Sequence, residues 1–508
     1  MQNKMKATIY CSVIILIILM SCQKSMETIS TENYEPNYPE LVLGKQRENP
    51  YSVTNMRKAF LALKKETRTG LPSEEVIQAT HQYIKFLPKD KDDISVLKAD
   101  TTLILYDYPL DYEILSYGGY HDPTCPRDTP TPLYASVPIS YQLPDNVEYV
   151  VLEDLFIPDE YDIAETRSDF SSTFIKDLVD KSLELTGNSD PDYSETKGGG
   201  SWHPHGSIRY FDATISAYIP IVGLQIRCRR WFTTYTAYTD WRGDFYCPET
   251  FSKSAEYSVV FERYDFEIKD AWLSTAKYQQ DNQVGEWIVD FKNNALCTYY
   301  CTIFRAAFKY YYQDIHGLST PPRNSFWKSQ LTILASTKDK ETENGNTALW
   351  RRFFTDSEIK LYTYAKDNRQ TYATTIHELA HAAHWQLVID AEGSNRNRDF
   401  NYAESSMVES WATGVQWFLT KDAYPSYRGK YPFSYYTNVV LDLIDDDDAS
   451  NNGKPKDGVS GINIVDIQNA LIGCNTWEGW KNNIATKYED KRTQIENLFD
   501  SWKSDGGF

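Results

Sequence analysis

Hydrophobic positions divide this chain into three stretches of different period. Behind Ser52, the residues Val53, Met56, Phe60 and Leu63 recur at helical spacing, and Ser52 is placed to cap that helix. Ser73 caps a second predicted helix, running through Val76, Ile77 and Tyr83 towards Phe86, with His81 inside it as a packed core histidine. Thr102–Tyr106 and Tyr149–Leu152 read as strands, so residues 50–195 are expected to form an α+β domain. The flexible joint Lys197–Ser201 follows. Gly206–Tyr210, Ile221–Cys228, Thr239–Phe245 and Tyr257–Phe261 are then short alternating runs separated by turns, the pattern of a small β-sandwich over residues 200–268. Residues 269–508 are richer in helix, with strand-like Leu331–Ala335 and Ile359–Thr363 ahead of a helix through Thr374–Trp385.

The N-terminus has another pattern. Lys4 and Lys6 precede a mainly apolar run, Ala7–Met20, which is of signal-peptide length and short for a membrane span. It ends in Leu19-Met20-Ser21-Cys22, which reads as a lipobox: residues 1–22 form a lipoprotein signal segment that is cut before Cys22, and the thiol of Cys22, retained on the mature chain, carries lipid. Residues 23–49 are polar and expected to be a tether, placing the mature chain outside the cytoplasm on a bacterial membrane.

Length and charge narrow the field. The 508 residues suffice for about three domains. A net charge of −19 without a Lys/Arg block excludes a nucleic-acid footprint. Cys125, Cys228, Cys247, Cys297, Cys301 and Cys474 are too sparse for a disulfide scaffold. Cys297 and Cys301, four apart in a predicted helix, read as buried thiols, and Cys228 with Cys247 as the one expected bridge.

The candidate chemistry lies in Thr374-Thr-Ile-His-Glu-Leu-Ala-His-Ala-Ala-His-Trp385. On a helix, His377 and His381 stand one turn apart on one face and can both reach a single Zn2+. Glu378, beside the first histidine, is placed to act as general base. Thr374 or Thr375 can cap the helix. His384 lies one turn further along the same face, suited to support or to substrate contact; as a third ligand it would have to reach back along a straight helix. A carboxylate downstream is the better third ligand. Helical periodicity puts Glu404 in a stripe with Val408, Trp411 and Val415, and Glu409 is the alternative.

Three resemblances bear on these residues. Glu409-Ser-Trp-Ala-Thr-Gly-Val-Gln-Trp417 resembles the E-G-F-A-x-x-x-E zinc-ligand helix of aminopeptidase-type gluzincins, with Ser410 in place of Gly, Trp411 of Phe and Gln416 of the second Glu. That resemblance implies Glu409 as the ligand and a zincin-like metallopeptidase fold over residues 269–508. Pro220, Gly223, Thr239, Asp240, Gly243 and Phe245 resemble the carboxypeptidase regulatory-like, transthyretin-type module, in which Asp and Gly shape a turn. In order, lipobox, sandwich and HELAH helix resemble the multi-domain zinc-peptidase lipoproteins predicted in Bacteroidota. This implies a lipid-anchored hydrolase of extracellular protein or peptide, with the outer membrane as its expected place. The alternative function is a catalytically inactive surface lipoprotein that binds protein or glycan through its sandwich. In such peptidases a residue beyond the third ligand assists the oxyanion. No His follows His384, which leaves Tyr424, Tyr427, Tyr431, Tyr435 and Tyr436, among which the sequence does not choose.

Overall fold

Ser52 caps the first helix as its position predicts: its Oγ accepts from the Asn55 backbone N–H at 3.1 Å and opens α1 (Val53–Thr67). The computed structural model describes residues 39–67, 77–126, 129–158, 172–189, 201–270, 274–325, 330–337, 348–352, 357–392, 403–429, 435–445 and 458–506. The expected lipobox with Cys22, the cap at Ser73 and Tyr431 lie outside these residues.

The end of the expected tether is folded: Leu41 is buried, and β1 (Val42–Gln46) pairs with a strand 70 residues downstream, β3 below. The second expected helix is replaced by β2 (His81–Phe86). After it come α2 (Lys91–Ala99), β3 (Tyr112–Ser116), β4 (Leu133–Pro138), β5 (Tyr149–Leu155) and α3 (Ser172–Leu185), which packs on α1. β2 is the centre of the antiparallel sheet β4-β2-β5. Tyr83 joins one apolar cluster with Phe60 and Leu155, whereas Ile84 and Phe86 join another with Leu97 and Val137. A strand covered on both faces loses its apolar–polar alternation, which is why its pattern passes for a helix. His81 is buried as expected, but on this strand. Thr102–Tyr106 is no strand; only Tyr106 bridges to Tyr134.

The middle of the chain forms two sheets. Its strands are β6 (His205–Asp212), β7 (Ala217–Pro220), β8 (Gln225–Arg230), β9 (Thr233–Tyr238), β10 (Asp244–Tyr246) and β11 (Ala255–Val260). The chain then leaves for β12 (Glu262–Arg263) and β13 (Phe266–Lys269), and returns as β14 (Lys277–Gln283) and β15 (Glu286–Phe291). One sheet runs β10-β6-β15 with β7 on β6, the other β14-β11-β8-β9. Aromatic rings join them: Trp287 stacks on Tyr257 with centroids 5.0 Å apart, and Phe245 meets both edge-on. Asp240 and Gly243 shape a turn, with Asp240 Oδ1 accepting from Arg242 N and Asp244 N and Gly243 at φ +80°. Cys228 and Cys247 are free thiols, not the expected bridge; Cys247 Sγ donates to Glu249 at 3.0 Å.

The last region is built on α4 (Ala295–Tyr312), where Cys297 and Cys301 are buried free thiols. β16 (Leu331–Ala335), β17 (Ala348–Arg352) and β18 (Ser357–Leu361) complete the mixed sheet β12-β13-β16-β18-β17, parallel from β13 to β18. Beyond it come α5 (Asn368–Glu392), α6 (Ser405–Ala423), α7 (Val439–Ile444), α8 (Ile464–Asn469), α9 (Trp477–Lys487) and α10 (Arg492–Gly506). The described residues thus make a mixed α/β protein of five sheets and ten α-helices. None of these helices is long and apolar enough to cross a membrane.

Candidate metal centre

α5 lies between α4 and α6 and is buried without a break from Thr371 to Gln386. A helix covered on every side needs small residues where neighbours come close, and Ala373, Ala380, Ala382 and Ala383 supply them. Its cap is earlier than Thr374 or Thr375: Asp367 Oδ1 accepts from Gln370 N at 2.7 Å. Thr375 is interior, its hydroxyl donating to the Thr371 carbonyl at 2.8 Å. Asn368 fixes the start, donating to Thr302 of α4 and accepting from Ala213 N after β6.

This placement brings three donor groups together. His377 Nε2 and His381 Nε2 are 3.2 Å apart, and Glu409 Oε2 of α6 lies 3.1 Å from the first and 3.3 Å from the second. Tetrahedral ligands bonded at about 2.0–2.1 Å stand roughly 3.3 Å from one another. The three edges therefore match one face of such a tetrahedron, and the group can hold a metal ion. Two imidazoles with one carboxylate are also a donor set that suits zinc. Burial alone would raise the Glu409 carboxyl, but the two imidazoles outweigh it and hold it far below the usual carboxylate range.

Glu404 is elsewhere. It is exposed, sits at the N-cap of α6 and accepts from Trp477 N at 2.6 Å, joining α6 to α9. The apolar stripe drawn through it fails because the helix begins only at Ser405. His384 is 2% exposed, so it has no surface for a substrate. Burial, with His381 adding to it, pushes its pKa down to about 3 and keeps it neutral. Glu378 is buried beside His377, at 7% exposure.

The tyrosines are separated by the fold. Tyr424 donates to the buried Asp212 at 2.6 Å and meets Tyr372 and Arg305, which makes it a tie between α6, β6 and α5. Tyr435 is exposed at 45%. Tyr436 lies with its ring 5.9 Å from that of His377 and its hydroxyl bonded to Glu409. Burial, with the charges of Glu409 and Glu378 added, pushes its hydroxyl well up, so it stays a donor. Residue patterns could not have singled it out, but Ser410 carried a signal as a departure from Gly. The Ser410 hydroxyl donates to the Tyr435 carbonyl at 3.1 Å and accepts from Thr437 N at 3.2 Å, holding the residue between them over the centre. No family model, curated protein or solved structure matches the chain, so this constellation is known by its own geometry alone.

Proposed function

We propose that this protein is a zinc-dependent peptidase of gluzincin type with a zincin-like catalytic region, carried as a lipid-anchored protein of a bacterial cell envelope and acting on extracellular proteins or peptides. The observation that supports it most is the trio of near-equal separations among His377 Nε2, His381 Nε2 and Glu409 Oε2. Zinc held by these three would supply Lewis-acid polarisation of a peptide carbonyl and acidify water.

The chain's own residues supply the proton transfers. Glu378 follows His377 on the helix, is not one of the three ligands and borders the open side of the centre, close enough to Tyr436 for its charge to act on that hydroxyl. There its carboxylate takes a proton from the attacking water and passes it to the leaving nitrogen. The Tyr436 hydroxyl, protonated at neutral pH, donates to oxygen as charge develops on the carbonyl. His384, neutral and enclosed, packs behind His381. The placement in the envelope rests on Lys4, the apolar run and Cys22.

The test is Glu378→Gln. Gln accepts a hydrogen bond but takes no proton, so the variant should fold, retain one zinc and lose about 10²–10⁴ in turnover of a peptide found by library screening. Unchanged turnover would place the base elsewhere. A zinc-loaded wild type that cleaves nothing in the library would favour a binding protein over an enzyme.

A further inference from the structure

A second site lies away from the metal centre and shares no residue with it. Between the β14-β11-β8-β9 sheet, the segment after α2 and the β12–β13 hairpin is a cavity of about 310 Å³, the size of small-ligand pockets. Strand register builds its floor from two rows on one sheet face. Gln279, Ser258 and Arg227 face each other across β14, β11 and β8. Lys277, Val260, Gln225 and Tyr238 form the next row, reaching β9. Exposed rings of Tyr238 (52%) and Tyr264 (44%) also line it.

Its charge opposes that of the chain. The whole protein has 71 Asp and Glu against 52 Lys and Arg, yet Lys91, Lys98, Arg227, Arg263, Lys269 and Lys277 line this cavity against only Asp100, Asp107, Glu262 and Glu267. Each of the four lysines has a carboxylate partner. Lys98 lies 3.1 Å from Glu262 and 2.5 Å from Glu267, Lys269 3.2 Å from Glu267, Lys277 2.5 Å from Asp107 and Lys91 3.7 Å from Glu358. The two arginines meet no carboxylate among the described residues. Arg227 donates to the Leu105 carbonyl at 2.8 Å and to Gln225 Oε1 at 3.4 Å. Arg263 donates to the Gly223 carbonyl at 3.1 Å and stacks 4.1 Å over Tyr238, which Gln225 touches through its hydroxyl. A guanidinium carries five N–H donors, so most of this pair's capacity is unused.

We infer that this cavity binds a small carboxylate-bearing ligand, held by the guanidinium groups of Arg227 and Arg263 about Gln225 and Tyr238. A guanidinium fork matches a carboxylate two-point. Sites that favour phosphate are commonly made of backbone N–H groups at a helix N-terminus or glycine-rich loop, and this lining is strand side chains. Asp107, Glu262 and Glu267 add acceptors for amide or hydroxyl donors elsewhere on the ligand. Both a peptide C-terminus and an acidic sugar have that chemistry.

Calorimetric titration of the full-length protein with N-acetyl-alanyl-alanine, its C-terminal amide, glucuronate, glucose and inorganic phosphate tests this. At least one carboxylate should bind, with its neutral counterpart about tenfold or more weaker. Preference for the peptide acid identifies a peptide end as the source, and preference for glucuronate an acidic sugar. Arg227→Gln and Arg263→Gln, made separately, should each weaken that binding about tenfold, and the variant that melts like wild type is the one read. Equal binding of acid and neutral partner, preference for phosphate, no binding up to about 10 mM, or unchanged affinity in a folded arginine variant would overturn the assignment. Because His381→Ala removes the metal centre but none of this lining, binding by that variant should equal that of wild type; its loss there would place the ligand at the metal centre and overturn the inference.

Discussion

The hydroxyls of Ser410 and Thr437 lie 2.7 Å apart, the shortest of the bonds through which Ser410 fastens the segment carrying Tyr436 to the helix carrying Glu409. Ser410 is fully buried and its Oγ takes part in three hydrogen bonds. Ser410→Ala should therefore leave buried polar groups unpaired and cost about 1–3 kcal/mol in urea unfolding. Thr437→Val removes one of the same bonds, so the double variant should cost less than the sum of the two singles. Strict additivity would show that the clamp is not a unit.

The two glutamates of α6 should separate cleanly. Glu409→Ala removes one of three donor atoms and should lower zinc affinity by orders of magnitude in a chelator competition. Glu404→Ala should keep the metal and lose about 1–2 kcal/mol of stability, because its bond to Trp477 N joins α6 to α9. Zinc loss from Glu404→Ala with zinc retained by Glu409→Ala would reverse the assignment.

Gly414 is where α6 meets α7. A Cβ there would stand 2.4–2.7 Å from three atoms of the Val440 side chain. Gly414→Ala should destabilise by about 1–3 kcal/mol through overpacking. Adding Val440→Ala removes the obstructing methyls and should recover part of that loss, a coupling read from denaturant midpoints.

Glu267 predicts a stability term that acid removes. Burial would raise its carboxyl, but Lys269 and Lys98 outweigh burial and hold it well below the usual carboxylate range. A depressed folded value means that the stabilisation is complete above the unfolded value, about 4.3, and is lost as pH falls through the folded one. Glu267→Gln should be less stable than wild type at pH 7, by about 1–3 kcal/mol, and the gap should close between pH 4 and pH 2. A gap that stays constant over that interval would refute the linkage.

Local signals were legible where one side chain decides a local geometry. Ser52 before Val53 announces its cap and the His377–His381 spacing its shared face, whereas the turn at Asp240 and Gly243 is reached only through the resemblance to the regulatory-like module. Errors arose where distant packing decided. β2 shows helical spacing because its two faces serve different cores, and only the positions of β4 and β5 reveal that. Glu404 was phased onto a helix that had not yet begun. Thr374 was an attractive cap because the true one, Asp367, precedes a polar turn of helix with no apolar stripe. Glu409 could be named through a motif resemblance, whereas Tyr436 needed a contact across a loop that no periodicity encodes.

The path β11 to β12 and β13, then back to β14 and β15, has a consequence for how the molecule can be made. Two architectures are written in interleaved order along one chain. A fragment ending near residue 270 would lack β14, which covers one side of β11, and β15, which pairs in parallel with β6. Both edges would then be open to pairing with other chains. The sandwich strands therefore cannot finish folding on the ribosome until residue 291 has emerged, by which time the first strands of the mixed sheet are already waiting for β16 and β18. Excision at a single boundary therefore yields a fragment with two open strand edges instead of a portable module.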